Sequence, residues 1–378
     1  MERYKIIDTL RGFSLFGILI VHLPLMGNSH FLILDMDTAT EVSDQISILI
    51  YNLFFEAKLF PIFSFLFGYG FALQLQSKAG QDSTLFLKRL LGLVIFGILH
   101  NILFFNGDIL FTYACLGLVL YFLRNKSEKI LISVSIVSLL FSSVTFYIIG
   151  STSFTEGELQ KLIQDFQRSN QLNFIESVYS RIHSGIDIFP FVFLNNWPTS
   201  FAMLGLGFTA GKRNALTDEN LLKKIPSYFP SLALVIGIIG GLCMVFEKQL
   251  GFSKGIGKSI FALASPFLSF FYVYSLLKIV NKNLFVILTD LLSRNGKMSL
   301  SIYISESILM GILFQAWGIG LFDKLQVHEL LLISIPAYLF LSILATLWLK
   351  KFEIGPFEWL FKKFVKIINT ETGLFHKI

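Results

Sequence analysis

Runs of about twenty predominantly apolar residues recur along nearly the whole chain, each closed by a short charged or turn-rich segment. A hydrocarbon core about 30 Å thick needs roughly that many helical residues for one crossing. Open strands are excluded because lipid cannot satisfy their backbone groups, so the runs predict an all-α, polytopic membrane protein. About ten spans are expected on this spacing, at 8–27, 47–76, 87–104, 108–123, 129–149, 187–211, 228–247, 256–279, 297–318 and 329–349. The mean hydropathy of +0.69 fits a chain that faces lipid as well as itself. The first run lacks a small-residue cleavage motif, and Asp8 and Arg11 lie at its mouth, so it is expected to be a retained helix.

The net charge of +6 would suggest nucleic acid in a soluble chain. Here the basic residues form short clusters between spans, such as Lys88-Arg89, Lys212-Arg213 and Lys350-Lys351, and that pattern belongs to topology. Alternate loops carry Lys78, Lys88, Arg89; Arg124, Lys126, Lys129; Lys212, Arg213, Lys223, Lys224; and Lys278, Lys282, Arg294, Lys297. The others hold acidic residues such as Asp35, Asp37, Glu41 and Asp44, or little charge. Both termini are therefore expected in the cytoplasm. Lys248, Lys254 and Lys258 run against this rule.

Two segments lie outside the spans. The stretch 151–186 mixes Glu156, Glu158, Lys161, Asp165 and Arg168 with apolar residues at helical spacing, and reads as an extracytoplasmic amphipathic insertion, either a lid or a plain connection. The stretch 353–369 alternates Phe357, Trp359, Leu360, Phe361 and Phe364 with lysines and reads as an interfacial helix. No repeat, low-complexity tract or second domain is visible.

Several ionisable residues fall within the spans, where a charge near the centre costs about 2.5–3.5 kcal/mol and therefore marks a candidate site. Asp8 and Arg11 are three apart and share a face; either an anchoring ion pair or a substrate contact fits them. His22 follows Arg11 by eleven residues on the same face, about 16 Å further along the axis. The third span repeats the spacing with Arg89 and His100, followed by Asn101, Asn106 and Asp108. His100 either serves chemistry with Asp108 or simply bonds it at a helix end. Glu56 and Lys58 are candidate substrate contacts or snorkelling residues near the outer end of span two. Glu306 lies deeper in span nine among Ser299, Ser301, Tyr303, Ser305 and Ser307, so that helix is expected to turn a polar face inward.

Other chemistries find no support. Cys115 and Cys243 have neither metal-ligand spacing nor a disulfide framework, so no metal is expected. Gly257-Lys258-Ser259 resembles the end of a phosphate-binding loop, but the upstream glycine position holds Phe252. Gly205, Gly207 and Gly211 read as close helix packing. No serine elbow of the G-x-S-x-G type occurs.

Five segments carry a resemblance. Ile7-Asp8-Thr9-Leu10-Arg11-Gly12, Lys58-Leu59-Phe60 through Leu66-Phe67-Gly68, and Arg89 to His100 with Gly107-Asp108-Ile109-Leu110 and Tyr113-Ala114 are three of them; Gly296-Lys297-Met298-Ser299-Leu300-Ser301 and the ending Phe352-Glu353-Ile354-Gly355-Pro356-Phe357-Glu358-Trp359-Leu360 complete the set. They resemble the YeiB-like bacterial membrane proteins (domain of unknown function 418). The wider superfamily is similar to the transmembrane acyltransferases, whose first helix carries Asp-x-x-Arg and a polar residue eleven after the Arg, matched here by Asp8, Arg11 and His22. The second arginine pair of the acyltransferase type 3 proteins is not found.

The resemblance implies transfer of an acyl group from cytosolic acyl-CoA, as co-substrate, to a small-molecule, lipid or glycan acceptor outside the cytoplasm. His22 would be the general base, with His100 and Asp108 a second base or orienting pair. Arg11, Lys88, Arg89 and Lys297 would attract coenzyme A phosphates, and Asp8, Glu56, Lys58 and Glu306 would contact substrate. A transporter or lipid-handling protein using the same residues as a proton or substrate path is the rival, and a non-catalytic relative a third reading. The lipid bilayer is the expected partner, nucleic acid is not, and association into a homo-oligomer stays open.

Overall fold

Backbone N–H and C=O groups find no partner in lipid, and the apolar runs accordingly fold as helices. A computed structural model describes residues 2–31, 41–76, 83–153 and 155–375, and gives only the backbone at 2–4, 83, 185–192, 219 and 367–375. Asp35, Asp37 and Lys78 lie outside the described residues. In chain order the helices are α1 (Glu2–Gly27), α2 (Val42–Ile50), α3 (Leu59–Gln76), α4 (Ser83–Leu103), α5 (Ile109–Leu123), α6 (Glu128–Ser151), α7 (Glu156–Asn170) and α8 (Phe174–Lys212). There follow α9 (Glu219–Lys223), α10 (Phe229–Val245), α11 (Ile256–Asn281), α12 (Val286–Lys297), α13 (Ser299–Phe314), α14 (Val327–Leu349) and α15 (Pro356–Phe375). Among the described residues, six helical stretches are long and apolar enough to cross a membrane, seven if α12 and α13, bent by 89° at their break, count as one span.

Helix α1 is central. Its apolar window is 67% buried, against 28% for those of α4 and α6. Leu15, Leu19 and Leu23 of α1 are fully enclosed and pack with residues of α13 and α14. On α6, by contrast, Ile136, Val137, Leu140, Phe141 and Val144 are exposed, as a lipid-facing stripe must be.

Lipid gives no hydrophobic drive between helices, so close approach at small residues does much of the work. A Cβ at Gly296 of α12 would stand 1.7 Å from the Asp8 carbonyl oxygen, and one at Gly12 2.0 Å from that of Leu292. The two helices therefore touch backbone to backbone, and Lys5 pairs with Asp290 at 2.6 Å beside them. Gly207 plays the same part between α8 and α3, where an added Cβ would lie 1.9 Å from the Phe65 carbonyl.

Several elements depart from expectation. The charged stretch before span nine forms α12, whose Thr289, Leu292, Asn295 and Gly296 are buried; a search for long apolar runs overlooks so short and polar a helix. The expected insertion divides into α7 and the first part of α8, and α8 continues unbroken into the expected sixth span. Thr155 with Glu158 and Asn173 with Glu176 form capping boxes that start the two helices.

Span two is interrupted by a π-helical turn over Tyr51–Phe55, with Ala57 at φ +55°. Lys58 does not snorkel. It is fully buried, its ammonium donates to the Asn52 carbonyl at 2.5 Å and lies 3.9 Å from the Phe261 ring centre. The cation thus satisfies a carbonyl that the broken helix leaves without an intrahelical partner.

The break before α13 is closed from the C-terminal segment. Glu358 Oε1 accepts the Leu300 and Ser301 N–H groups at 2.7 and 3.1 Å, and Oε2 accepts the Ser301 hydroxyl at 2.5 Å. The Gly-Pro-Phe-Glu ending therefore places a carboxylate on a helix N-terminus, where the dipole favours it. Glu358→Ala is expected to lower stability by about 1–2 kcal/mol, seen as an earlier thermal transition of the detergent-solubilised protein. An unchanged transition would mean that the cap contributes nothing. Similarly, Glu247 accepts the Gly255 and Gly257 N–H groups at 2.8 and 2.7 Å. A carboxylate thus fills the place where a nucleotide phosphate would sit in the loop-like sequence Gly255 to Ser259.

Candidate functional site

Helix α1, which carries Asp8, Arg11 and His22, packs on α3, and its Arg11 and His22 lie within electrostatic range of Arg89 and His100 of α4. At its N-terminal end Arg11 Nη1 donates to Asp8 Oδ1 at 3.3 Å. The Arg11 guanidinium lies against α3, where a Cβ at Gly70 would be 3.6 Å from Nη2. Arg89 of α4 reaches the same helix, donating to Gln74 Oε1 at 2.7 Å. Arg11 and Arg89 lie within electrostatic range of each other, as do Asp8 and Lys297. Arg11, Arg89 and Lys297 are thus linked at this end, and Lys88 stands one residue before Arg89 on α4.

At the other end of α1, His22 lines a cavity of about 180 Å³. Its wall includes Ile18 and His22 of α1, Phe55 and Ala57 of the π-helical break, Asp108 beside α5, and Tyr303 of α13. The His22 ring packs on Phe105 with centroids 4.7 Å apart, and neither nitrogen has a hydrogen bond among the described residues. An imidazole beside a cavity with both nitrogens uncommitted can exchange a proton with whatever enters.

His100 is differently placed. Its Nδ1 lies 2.9 Å from Asp108 Oδ1 and its Nε2 2.9 Å from the Ser307 hydroxyl, with both His100 and Ser307 buried. Asp108 is held by three donors or donor-capable groups. Its Oδ2 accepts the Phe111 N–H at 2.7 Å, which caps α5, while Oδ1 also accepts the Tyr303 hydroxyl at 3.3 Å. Tyr303 in turn accepts the Ile109 N–H at 3.2 Å. Asp108 therefore both caps a helix and orients an imidazole.

The loop that carries Asp108 is clamped from α8. Arg181 donates to the carbonyls of Ile102 and Leu103 at 2.9 and 2.7 Å, satisfying the C-terminal end of α4, and Asn106 donates to Ser184 at 2.8 Å. Sequence reasoning missed Arg181 and Ser307, since their partners lie 78 or more residues away; the serine-rich face of span nine was the available signal.

The remaining predicted residues stand apart from this network. Glu56 sits in the π-helical break between the cavity-lining Phe55 and Ala57, within electrostatic range of Lys58 and Lys258. Lys58 is engaged by Asn52 and Phe261. Glu306 is buried on α13 with neither carboxylate oxygen hydrogen-bonded among the described residues.

Comparison with known proteins agrees with the motifs. The family described as "Protein of unknown function (DUF418)" matches residues 210–367, which hold α10 to α14 and most of α15. "Uncharacterized protein YxaH" of Bacillus subtilis (strain 168) is 29% identical, over 96% of this chain and 94% of its own length. "Uncharacterized 39.9 kDa protein in amylase 3'region" of Bacillus acidopullulyticus is 26% identical over 96% and 93%. "Uncharacterized protein YeiB" of Escherichia coli (strain K12) is 25% identical over 96% of both. No solved structure matches. The chain is thus similar to the DUF418 family over residues 210–367 and to these three proteins over nearly its whole length.

Proposed function

We propose that the chain is a membrane acyltransferase of the transmembrane acyltransferase superfamily. It would take an acyl group from cytosolic acyl-CoA and pass it to an acceptor that enters at the His22 end. The observation that supports this reading is the pairing of ends on α1 and α4: a cationic cluster at one, and an uncommitted imidazole in a cavity at the other. Arg11, Lys88, Arg89 and Lys297 attract the coenzyme A phosphates, with Asp8 orienting Arg11. His22 accepts the proton of the acceptor hydroxyl or amine as the acyl carbon is attacked, a role open to a cavity-lining imidazole with uncommitted nitrogens.

Ten crossings are part of the proposal. The six long stretches, the bent pair, the shorter apolar helices α5 and α10, and the later part of α8 supply them. Basic loops also converge on one side: Lys212 donates to the Arg124 carbonyl at 2.9 Å, and Arg213 pairs with Glu128. That side is assigned to the cytoplasm of a bacterial plasma membrane.

Acyl-CoA binding tests the reading. Purified protein in detergent is expected to melt later as acetyl- or palmitoyl-CoA is added, because a ligand at about 100 times its Kd stabilises the folded state by about 2.7 kcal/mol. No shift up to about 1 mM of either thioester would overturn it. Glu306, whose carboxylate has no hydrogen bond among the described residues, favours a second reading, a proton-linked transporter. Under that reading, proteoliposomes would move substrate in response to a pH gradient without consuming thioester.

A further inference from the structure

Ser307 lies in no motif by which a nucleophilic serine is read from sequence, and acyl transfer by His22 alone gives it no task. Its partner suggests one. Ser14, Ser135 and Ser265 each donate to the carbonyl four residues back, the usual way a helix satisfies a buried hydroxyl. The Ser307 hydroxyl instead meets His100 Nε2 at 2.9 Å, and His100 Nδ1 meets Asp108 Oδ1 at 2.9 Å. Asp108 is itself fixed by the Phe111 N–H and the Tyr303 hydroxyl. Carboxylate, imidazole and hydroxyl thus stand in the order that activates serine nucleophiles, assembled from α13, α4 and the α4–α5 loop.

The group also borders the cavity. Asp108 and Tyr303 line it, the Tyr303 ring packs at a tilt on His100 with centroids 4.7 Å apart, and Ser307 follows Tyr303 by one turn of α13. Ser307 and His100 are buried behind the Tyr303 ring, so a carbonyl in the cavity reaches Ser307 when that ring moves aside.

We propose that Ser307 is a nucleophile that carries the acyl group as an ester between donor and acceptor. The inference rests on the acyl-transfer reading. Ser307 Oγ attacks the thioester carbonyl carbon while its proton passes to His100 Nε2; the C–O bond forms, the C–S bond breaks, and coenzyme A leaves as the thiolate. Asp108 holds the resulting imidazolium. The acceptor hydroxyl then attacks the ester carbon and loses its proton to His22, the bond to Ser307 Oγ breaks, and His100 returns its proton to that oxygen. The proton on His22 finally neutralises the thiolate through solvent, so the sum is thioester plus alcohol giving ester plus thiol.

The test is labelling of the full-length protein in detergent by a tagged ethyl fluorophosphonate, with the labelled peptide identified by mass spectrometry. Wild type is expected to be labelled at Ser307, Ser307→Ala to lose the label, and Ser305→Ala to keep it. His100→Gln is expected to slow labelling about a hundredfold. Melting curves establish that each variant is folded. No label on wild type, or an equal label on folded Ser307→Ala, overturns the proposal. So does full thioester turnover by Ser307→Ala, which leaves the acyl-transfer reading intact. Labelling at Ser307 with no thioester consumption overturns acyl transfer and retains the nucleophile.

Discussion

Replacing His22 by alanine is expected to lower acyl transfer by about 10²–10⁴-fold, the usual contribution of a positioned general base, while the protein still folds. Both halves of that expectation come from one geometry. The imidazole lines the cavity, and its resolved contact is a ring packing on Phe105 at 4.7 Å. Removing it breaks no hydrogen bond among the described residues, so the loss of stability is limited to lost packing, about 1–2 kcal/mol. Thioester consumption with a transferable acceptor, measured beside a melting curve, separates the two effects. Unchanged turnover in the variant would remove His22 from the chemistry. His22→Gln refines the result, since glutamine keeps a polar group in the cavity but cannot take up a proton. Its activity should match that of alanine if proton transfer is what His22 supplies.

His22 was legible in the sequence because helical periodicity decides which side chains share a face of one helix. Arg11 with His22, and Arg89 with His100, are such pairs, and the structure places His22 on a cavity whose wall includes Asp108, the partner of His100. Which helix faces which was not legible. In lipid the choice rests on close approach at residues such as Gly12 and Gly296 and on hydrogen bonds between helices. Neither leaves a periodic trace.

Ser307 therefore stood in the sequence only as one of several serines on a polar face, although it lies 2.9 Å from His100. The breaks in the helices were hidden for a related reason. Their orphan backbone groups are satisfied from afar, by Lys58 through a carbonyl six residues back and by Glu358 from beyond α14. A search for uninterrupted apolar length passes over both. The Gly-Pro-Phe-Glu ending, noticed first as a mark of resemblance, has a structural task as the cap of α13.

Asp108→Ala is expected to have the largest effect on stability, because one carboxylate serves two structures. Without it the first turn of α5 loses its cap, which costs about 0.5–2 kcal/mol. His100 Nδ1 then has no partner in a buried site, which adds about 1–3 kcal/mol. The two losses share a residue and need not add in full, so about 2–4 kcal/mol is expected, or roughly 5–10 °C in the thermal transition. Asp108→Asn separates the contributions. Its amide oxygen can still accept from Phe111 or from His100, but not from both as the carboxylate does, so its transition should fall between those of wild type and alanine. His100→Ala should destabilise less than Asp108→Ala, since it leaves the α5 cap in place, frees the Ser307 hydroxyl and leaves Asp108 Oδ1 with the Tyr303 hydroxyl. If Asp108→Ala instead melts with wild type, the buried contacts of Asp108 do not hold the helices together. The cost of keeping a carboxylate at that depth would then have to be explained by chemistry alone.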